Sequence, residues 1–222
     1  MTDTLWYIAL GDLSKPFMAA TIHCREDVRG LRRCGWDATL ISQASGDVTP
    51  LDDVPELAIP RGKGLGGRVG FELALCRRLR TVEVKPDFVF FRGTGLSLVV
   101  SLLRAMKIPY GCELCGPPLS FLPGAGRRRV LRLADVYTLK HASAICALNR
   151  ELKELSDVYI RPGTVQTIKG VGVNAEDYQL AVDGRDAADG RLLMGFLGTL
   201  YADRGLQEML DLTAELRKRD ID

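Results

Sequence analysis

Arg92, Glu113, Cys115 and Gly116 are the residues of this 222-residue chain best placed to do chemistry, because each falls where an apolar run gives out. Phe88 to Phe91 is too short to be a helix and stops at Arg92-Gly93. A second run begins at Tyr110 and carries Glu113, Cys115 and Gly116 towards its far end. A cation, a carboxylate and a thiol brought to one rim can bind an anion or hold a hydroxyl group. Gly11 and Asp12 close a similar run, Leu5 to Leu10. Backbone amides between a strand and a helix can face an anion or a hydroxyl, although a plain tight turn accounts for the same two residues.

The elements that position these residues follow from the pattern around them. Between the two central runs, Gly95 to Met106 is apolar almost all round and is stopped by Ile108-Pro109. Strand, helix and strand in one unit imply a helical crossover and a parallel sheet. Ligands of open parallel sheets bind beyond the carboxyl ends of the strands, which sets Arg92, Gly93, Glu113, Cys115 and Gly116 on one rim. Upstream, Leu5 to Leu10 leads into a helix over Phe17 to Arg33, and strands follow at Ala38 to Ser42 and Leu57 to Pro60. The stretch Arg61 to Gly70 is expected as a flexible lead-in to a helix with Leu65, Val69, Leu73, Cys76 and Leu79 on its inner face and Arg68, Glu72 and Arg80 away from it. Downstream come a basic amphipathic helix over Arg127 to Leu139, a strand at Ala144 to Leu148, a helix at Glu151 to Leu155 and a strand at Val165 to Ile168. The fold class is therefore α/β: a Rossmann-like parallel sheet with helices on both faces, occupying residues 1–179. Residues 180–190 are polar and glycine-bearing and fit a linker. A strand at Leu192 to Leu197 and a helix at Arg204 to Arg219 then open a second unit over 191–222. One strand and one helix cannot bury both their faces, so this unit is expected to be the incomplete start of a further Rossmann-like domain.

Several functions are disfavoured. Thirty basic against 28 acidic residues give a net charge of +2, too balanced to suggest a nucleic-acid binder. The loop after the first strand lacks G-x-G-x-x-G and no acidic residue ends the second strand, which disfavours a dinucleotide cofactor; Arg61 to Gly70 lacks the G-K-[ST] of a phosphate loop. No other cofactor is expected. Cys112 and Cys115 form a C-x-x-C, but their odd offset in a strand turns the side chains to opposite faces, so no metal is expected either. His23 and His141 sit in helical pattern and fit surface or packing roles. No segment is long and apolar enough to span a membrane, and the amino end lacks a basic region and cleavage site, so a cytoplasmic protein is expected. Phe121 and Leu122 beside Arg127 to Arg129 suit the surface of an anionic membrane, and a packed lid with solvated arginines fits the same residues.

The order of motifs resembles the family 4 glycosyltransferases of GT-B architecture. PDFVFFRG followed by IPYGCELCGPP is similar to the family's strand-helix-strand ending E-x-[HN]-G, with Cys115 in the histidine or asparagine place. ASAICALNRELKEL resembles A-D-x-I-I-A-V-S-x-x-L-K-x-x-L, with Asn149 for serine. IKGVGVNAEDY is similar to I-P-N-G-V-D-x-x-x-F, and MGFLGTLYADRGLQEML resembles the G-x-x-G-R-L-x-x-x-K-G-L that opens the donor domain. The resemblance covers nearly the whole chain. It implies an enzyme moving a sugar from a nucleotide diphosphate sugar to a glycan, lipid or small-molecule acceptor, without a metal. Gly11, Asp12, Arg92, Glu113, Cys115 and Gly116 would line the acceptor side. Gly198, Thr199, Arg204 and Gly205 would meet the donor diphosphate, where a glycine allows close approach and a helix start favours anions. The family's paired-glutamate donor motif has no counterpart here, so the resemblance also implies that a second polypeptide or a longer chain completes the donor side. The competing expectation is a non-catalytic Rossmann-like binding module.

Overall fold

The computed structural model describes residues 2–14, 18–44, 54–60, 64–117, 129–169 and 206–219. The chain divides into two compact units, Met1–Asn174 and Ala175–Asp222. In the first, seven strands form one parallel sheet: β1 (Thr4–Asp12), β2 (Asp37–Ala44), β3 (Glu56–Pro60), β4 (Phe88–Arg92), β5 (Tyr110–Leu114), β6 (Ala144–Ala147) and β7 (Val165–Ile168), in the order β3-β2-β1-β4-β5-β6-β7. The helices between them are α1 (Ala19–Arg33), α2 (Gly64–Thr81), α3 (Ser97–Ala105), α4 (Arg129–His141) and α5 (Arg150–Asp157). In the second unit the described element is α6 (Leu206–Lys218); the strand expected at Leu192 to Leu197 lies outside the described residues.

Strand alternation builds two layers of core. Leu5, Tyr7 and Ala9 of β1 pack with Cys24 and Val28 of α1 and with Leu40. Trp6 and Ile8 turn the other way, towards Phe71, Leu75 and Leu79 of α2 and Val99, Val100 and Leu103 of α3. The strand order reverses direction between β1 and β4, with Ala9 in register with Arg92. That reversal is the place where sheets of this kind open a crevice at their carboxyl edge.

Three expectations are corrected. Gly11 and Asp12 form the end of β1 rather than a turn, because Asp12 still pairs with Gln43 past an irregularity after Ile8, and the Leu13 amide donates to the Gln43 carbonyl at 3.0 Å. The glycine-rich stretch is helical from Gly64. Glycine costs a helix interior about 0.5–1 kcal/mol, whereas Phe71, Leu75 and Leu79 are fully buried further along, each contributing about 1.5–3 kcal/mol. Finally, α2 is rotated from the expected phase: Val69 and Leu73 are exposed, and Glu72 points inward. Glu72 Oε2 accepts from the amides of Leu98 at 2.7 Å and Val99 at 3.4 Å, capping α3 from a neighbouring helix. These amides have no partner within their own helix, so a carboxylate delivered there outweighs the local apolar pattern.

Candidate functional site

α1 starts at the carboxyl edge of the sheet and runs back along one face, and its first turns present Ala20, His23, Cys24 and Asp27 to the strand ends at the three- and four-residue spacing of one helix face. Glu113, at the end of β5, is fully buried beneath them. Its Oε1 lies 2.7 Å from His23 Nε2 and 3.5 Å from Lys169 Nζ, and its Oε2 is 2.8 Å from the Tyr7 hydroxyl. The Tyr7 oxygen is also 2.9 Å from Asp27 Oδ2, so its single hydrogen serves two carboxylates. Lys169, immediately after β7, donates to Asp27 Oδ1 at 2.5 Å. Arg92, at the end of β4, completes the group: its Nε donates to Cys115 Sγ at 3.3 Å and stands 3.9 Å from Glu113 Oε2, while its Nη1 reaches the Ala20 carbonyl at 3.1 Å and Cys24 Sγ at 3.3 Å.

The electrostatics follow from this packing. Burial pushes the Glu113 carboxyl up, but the hydrogen bond from His23, the Lys169 charge and the Tyr7 hydroxyl outweigh it and hold the group at about 2, against an ordinary 4.5. Burial lifts the Cys24 thiol to about 11, against the pull of Arg92. Cys115 is also raised, by burial and by the Glu113 charge, and Tyr7 is raised by burial and nearby negative groups. Burial works against the Lys169 charge, yet its bond to Asp27 leaves it raised. Arg92 and Lys169 thus face Glu113 across the rim, and the thiols of Cys24 and Cys115 remain protonated at neutral pH. Because the Glu113 value is depressed, its stabilisation is fully present above about pH 4.5 and is lost as pH falls towards 2. Acid titration of the folded protein is expected to show an unfolding component in that window that Glu113→Gln lacks, measured by circular dichroism.

Of the residues expected from the sequence, Arg92, Glu113 and Cys115 are brought together. Gly93 donates its amide to the Glu113 carbonyl at 2.9 Å, and Gly116 stands two residues past the end of β5. Gly11, two residues past the register partner of Arg92, is exposed with open space about its Cα. Asp12 contributes backbone pairing to β2. Gly198, Thr199, Arg204 and Gly205 lie outside the described residues, as do Phe121, Leu122, Arg127 and Arg128. Sequence reasoning missed Tyr7, Asp27 and Lys169 and left His23 as a surface or packing residue. For α1 the signal was present, since residues 20, 23, 24, 27 and 28 fall on one face. For Lys169 there was none, because its contact with Asp27 spans 142 positions.

His23, Glu113 and Cys115 bring one nitrogen, one oxygen and one sulfur within 4.8 Å of one another, a donor set suited by type to zinc. A metal there would compete with Arg92 on Cys115 and with Lys169 on Glu113. What the arrangement offers a ligand is the partly exposed Arg92 guanidinium and Lys169 ammonium above the buried Glu113 carboxylate.

A doubly wound parallel sheet with its polar residues gathered at the carboxyl edge of the switch point defines a Rossmann-like α/β domain. The glycosyl transferase 4-like domain model matches residues 19–168, and the chain belongs to that family. A search of curated proteins gives no match. Among solved structures, the chain is similar in fold to a putative UDP-N-acetylglucosamine 2-epimerase from Listeria monocytogenes, with a TM-score of 0.53 at 13% identity over 76% of this chain and 44% of that one. The Neisseria meningitidis UDP-GlcNAc 2-epimerase bound to UDP-GlcNAc gives 0.52 at 13% identity, over 74% and 45%. A sucrose-phosphate synthase structure from Thermosynechococcus elongatus gives 0.52 at 10% identity, over 79% and 92%. The chain spans less than half the length of the epimerases. No helix among the described residues is long and apolar enough to cross a membrane.

Proposed function

We propose that the protein transfers a sugar from a nucleotide diphosphate sugar to an acceptor hydroxyl on a glycan, lipid or small molecule, with the rim of the first unit forming the acceptor side. The observation that carries this reading is Arg92 and Glu113 held together at the switch point of a glycosyl transferase 4-like domain. The donor class is supported by the Neisseria structure, whose bound ligand is UDP-GlcNAc. Glu113, ionised and tied to Tyr7, His23 and Lys169, is too weak a base to take a proton at neutral pH. Its role is to fix Arg92 and Cys115, and Arg92 holds the ligand. The donor-side assignments of Gly198, Thr199, Arg204 and Gly205, and a second unit opening at residue 191, rest on the sequence resemblance. Six free cysteines support a cytoplasmic setting; contact with the membrane's inner face rests on Phe121, Leu122 and the neighbouring arginines.

The test is nucleoside diphosphate release from a panel of uridine and guanosine diphosphate sugars. The protein is isolated from its source cells, so that any further chain or subunit is present. Arg92→Ala is expected to lower kcat/KM by roughly 10- to 100-fold, and an unchanged rate would remove Arg92 from the site. Absence of release from every donor would favour the non-catalytic binding module. That reading is supported by one feature of the site: both oxygens of Glu113 are already engaged, by Tyr7, His23 and Lys169.

A further inference from the structure

We propose that the opposite, amino-terminal edge of the sheet carries a second binding site, for a phosphate-bearing anion, built from Arg104, Tyr137, Lys140, His141 and Arg161. The ends of α3 and α4 and the starts of β5 and β6 converge there. Arg104 Nη1 donates to the Tyr137 hydroxyl oxygen at 2.8 Å, with its Cζ 5.7 Å from the ring centroid. The Tyr137 ring meets His141 edge-on at 4.8 Å, and Arg161 Nη2 lies 3.4 Å from His141 Nε2. Arg104, Tyr137, His141 and Arg161 therefore form one connected row, with Lys140 adjoining it in sequence.

Two features of the row call for an anion. Among the described residues, none of Arg104, Lys140 and Arg161 is paired with a carboxylate. The ends of α3 and α4 attract cations through their dipoles, which accounts for Arg104 and Lys140; Arg161 belongs to neither helix and still joins them. The second feature is a surplus of donors. Tyr137 accepts from Arg104 Nη1 and lies 3.3 Å from Ser101 Oγ, whose own hydrogen goes to the Ser97 carbonyl at 2.8 Å, so the guanidinium of Arg104 keeps further N–H donors for a ligand. If Arg161 donates to His141 Nε2, the neutral imidazole carries its proton on Nδ1, a buried atom without a partner. Burial and the charges of Arg104, Arg161 and Lys140 lower the His141 value, and Ser101 and Arg104 lower that of Tyr137 despite slight burial. A bound anion reverses the charge contribution at both. Arginine forks match phosphate oxygens in pairs, so the ligand class is a phosphate, either soluble or the headgroup of a lipid. This site is independent of the glycosyl-transfer reading.

The experiment follows the His141 imidazole by NMR across pH in the full chain, in inorganic phosphate and in chloride at equal ionic strength. Phosphate is expected to raise the midpoint and chloride to leave it in place. Arg104→Gln with Arg161→Gln, both exposed and outside the core, is expected to keep the wild-type Tm and to weaken phosphate binding by about tenfold or more. Co-sedimentation with phosphatidylcholine vesicles containing phosphatidic acid, lost in the double variant, assigns the site to a lipid headgroup. Phosphate binding without vesicle binding assigns it to a soluble phosphate. The proposal is overturned if neither probe moves His141, or if the double variant binds as the wild type does.

Discussion

Glu113→Ala is expected to destabilise the first unit by about 3–5 kcal/mol, the usual cost of removing one member of a buried, paired set of charges. The carboxylate is fully buried, and its loss strands several groups at once. Lys169 keeps only Asp27, His23 loses its 2.7 Å partner, and Arg92 is left near two raised-pKa thiols. Urea unfolding followed by circular dichroism measures the effect. A loss below about 1 kcal/mol would place Glu113 in the range of an exposed pair and remove its role as the organiser of the rim. Glu113→Gln keeps the shape and one acceptor oxygen, so its loss should be smaller.

A second large effect is expected far from any charge reversal, at Gly95. Its φ of +87° lies where residues with a side chain are strained, and an added Cβ would overlap Nη2 of Arg68 and stand 2.7 Å from Asp135 Oδ1. Arg68 is not loose there, because it donates to the Thr94 carbonyl at 2.9 Å, and Asp135 accepts from Thr94 Oγ1 at 2.7 Å. Gly95→Ala must bend the β4–α3 connection or break these bonds, for a loss of about 2–4 kcal/mol. Gly66→Ala is the matched control. Gly66 sits in α2 with open space about it, so the change should be neutral or stabilising by up to about 1 kcal/mol. Equal losses at the two glycines, compared by thermal unfolding, would refute the packing argument for Gly95.

The sheet could be read from the sequence because buried parallel strands are short apolar runs closed by turn residues, and such runs are local. Phe88 to Phe91, Ala144 to Leu148 and Val165 to Ile168 all lie where expected, within a residue at each end. Half of the rim followed from the same rule, since Arg92 and Glu113 are simply what comes at the strand ends. The other half sits on α1, where a polar inner face looks like a solvated one: His23 and Asp27 differ from surface residues only in what lies beneath them. The phase of α2 escaped for a related reason. Leu65, Val69 and Leu73 make a plausible stripe, and only the start of α3, some 26 positions away from Glu72, decides that Glu72 must turn inward.

The place of β1 in the sheet also bears on how the chain is made. It is synthesised before β2 to β7, yet it lies between β2 and β4, and its pairing partners in β4 are 83 positions further on. At roughly 5–20 residues per second, one edge of β1 waits about 4–17 s before Phe88 to Arg92 are even synthesised. During that time a strand as apolar as Leu5 to Leu10 is an open template for pairing with other chains. Expression yield should therefore depend on translation speed and chaperone supply between the codons for Leu5 and Arg92, more than on the stability of the finished domain.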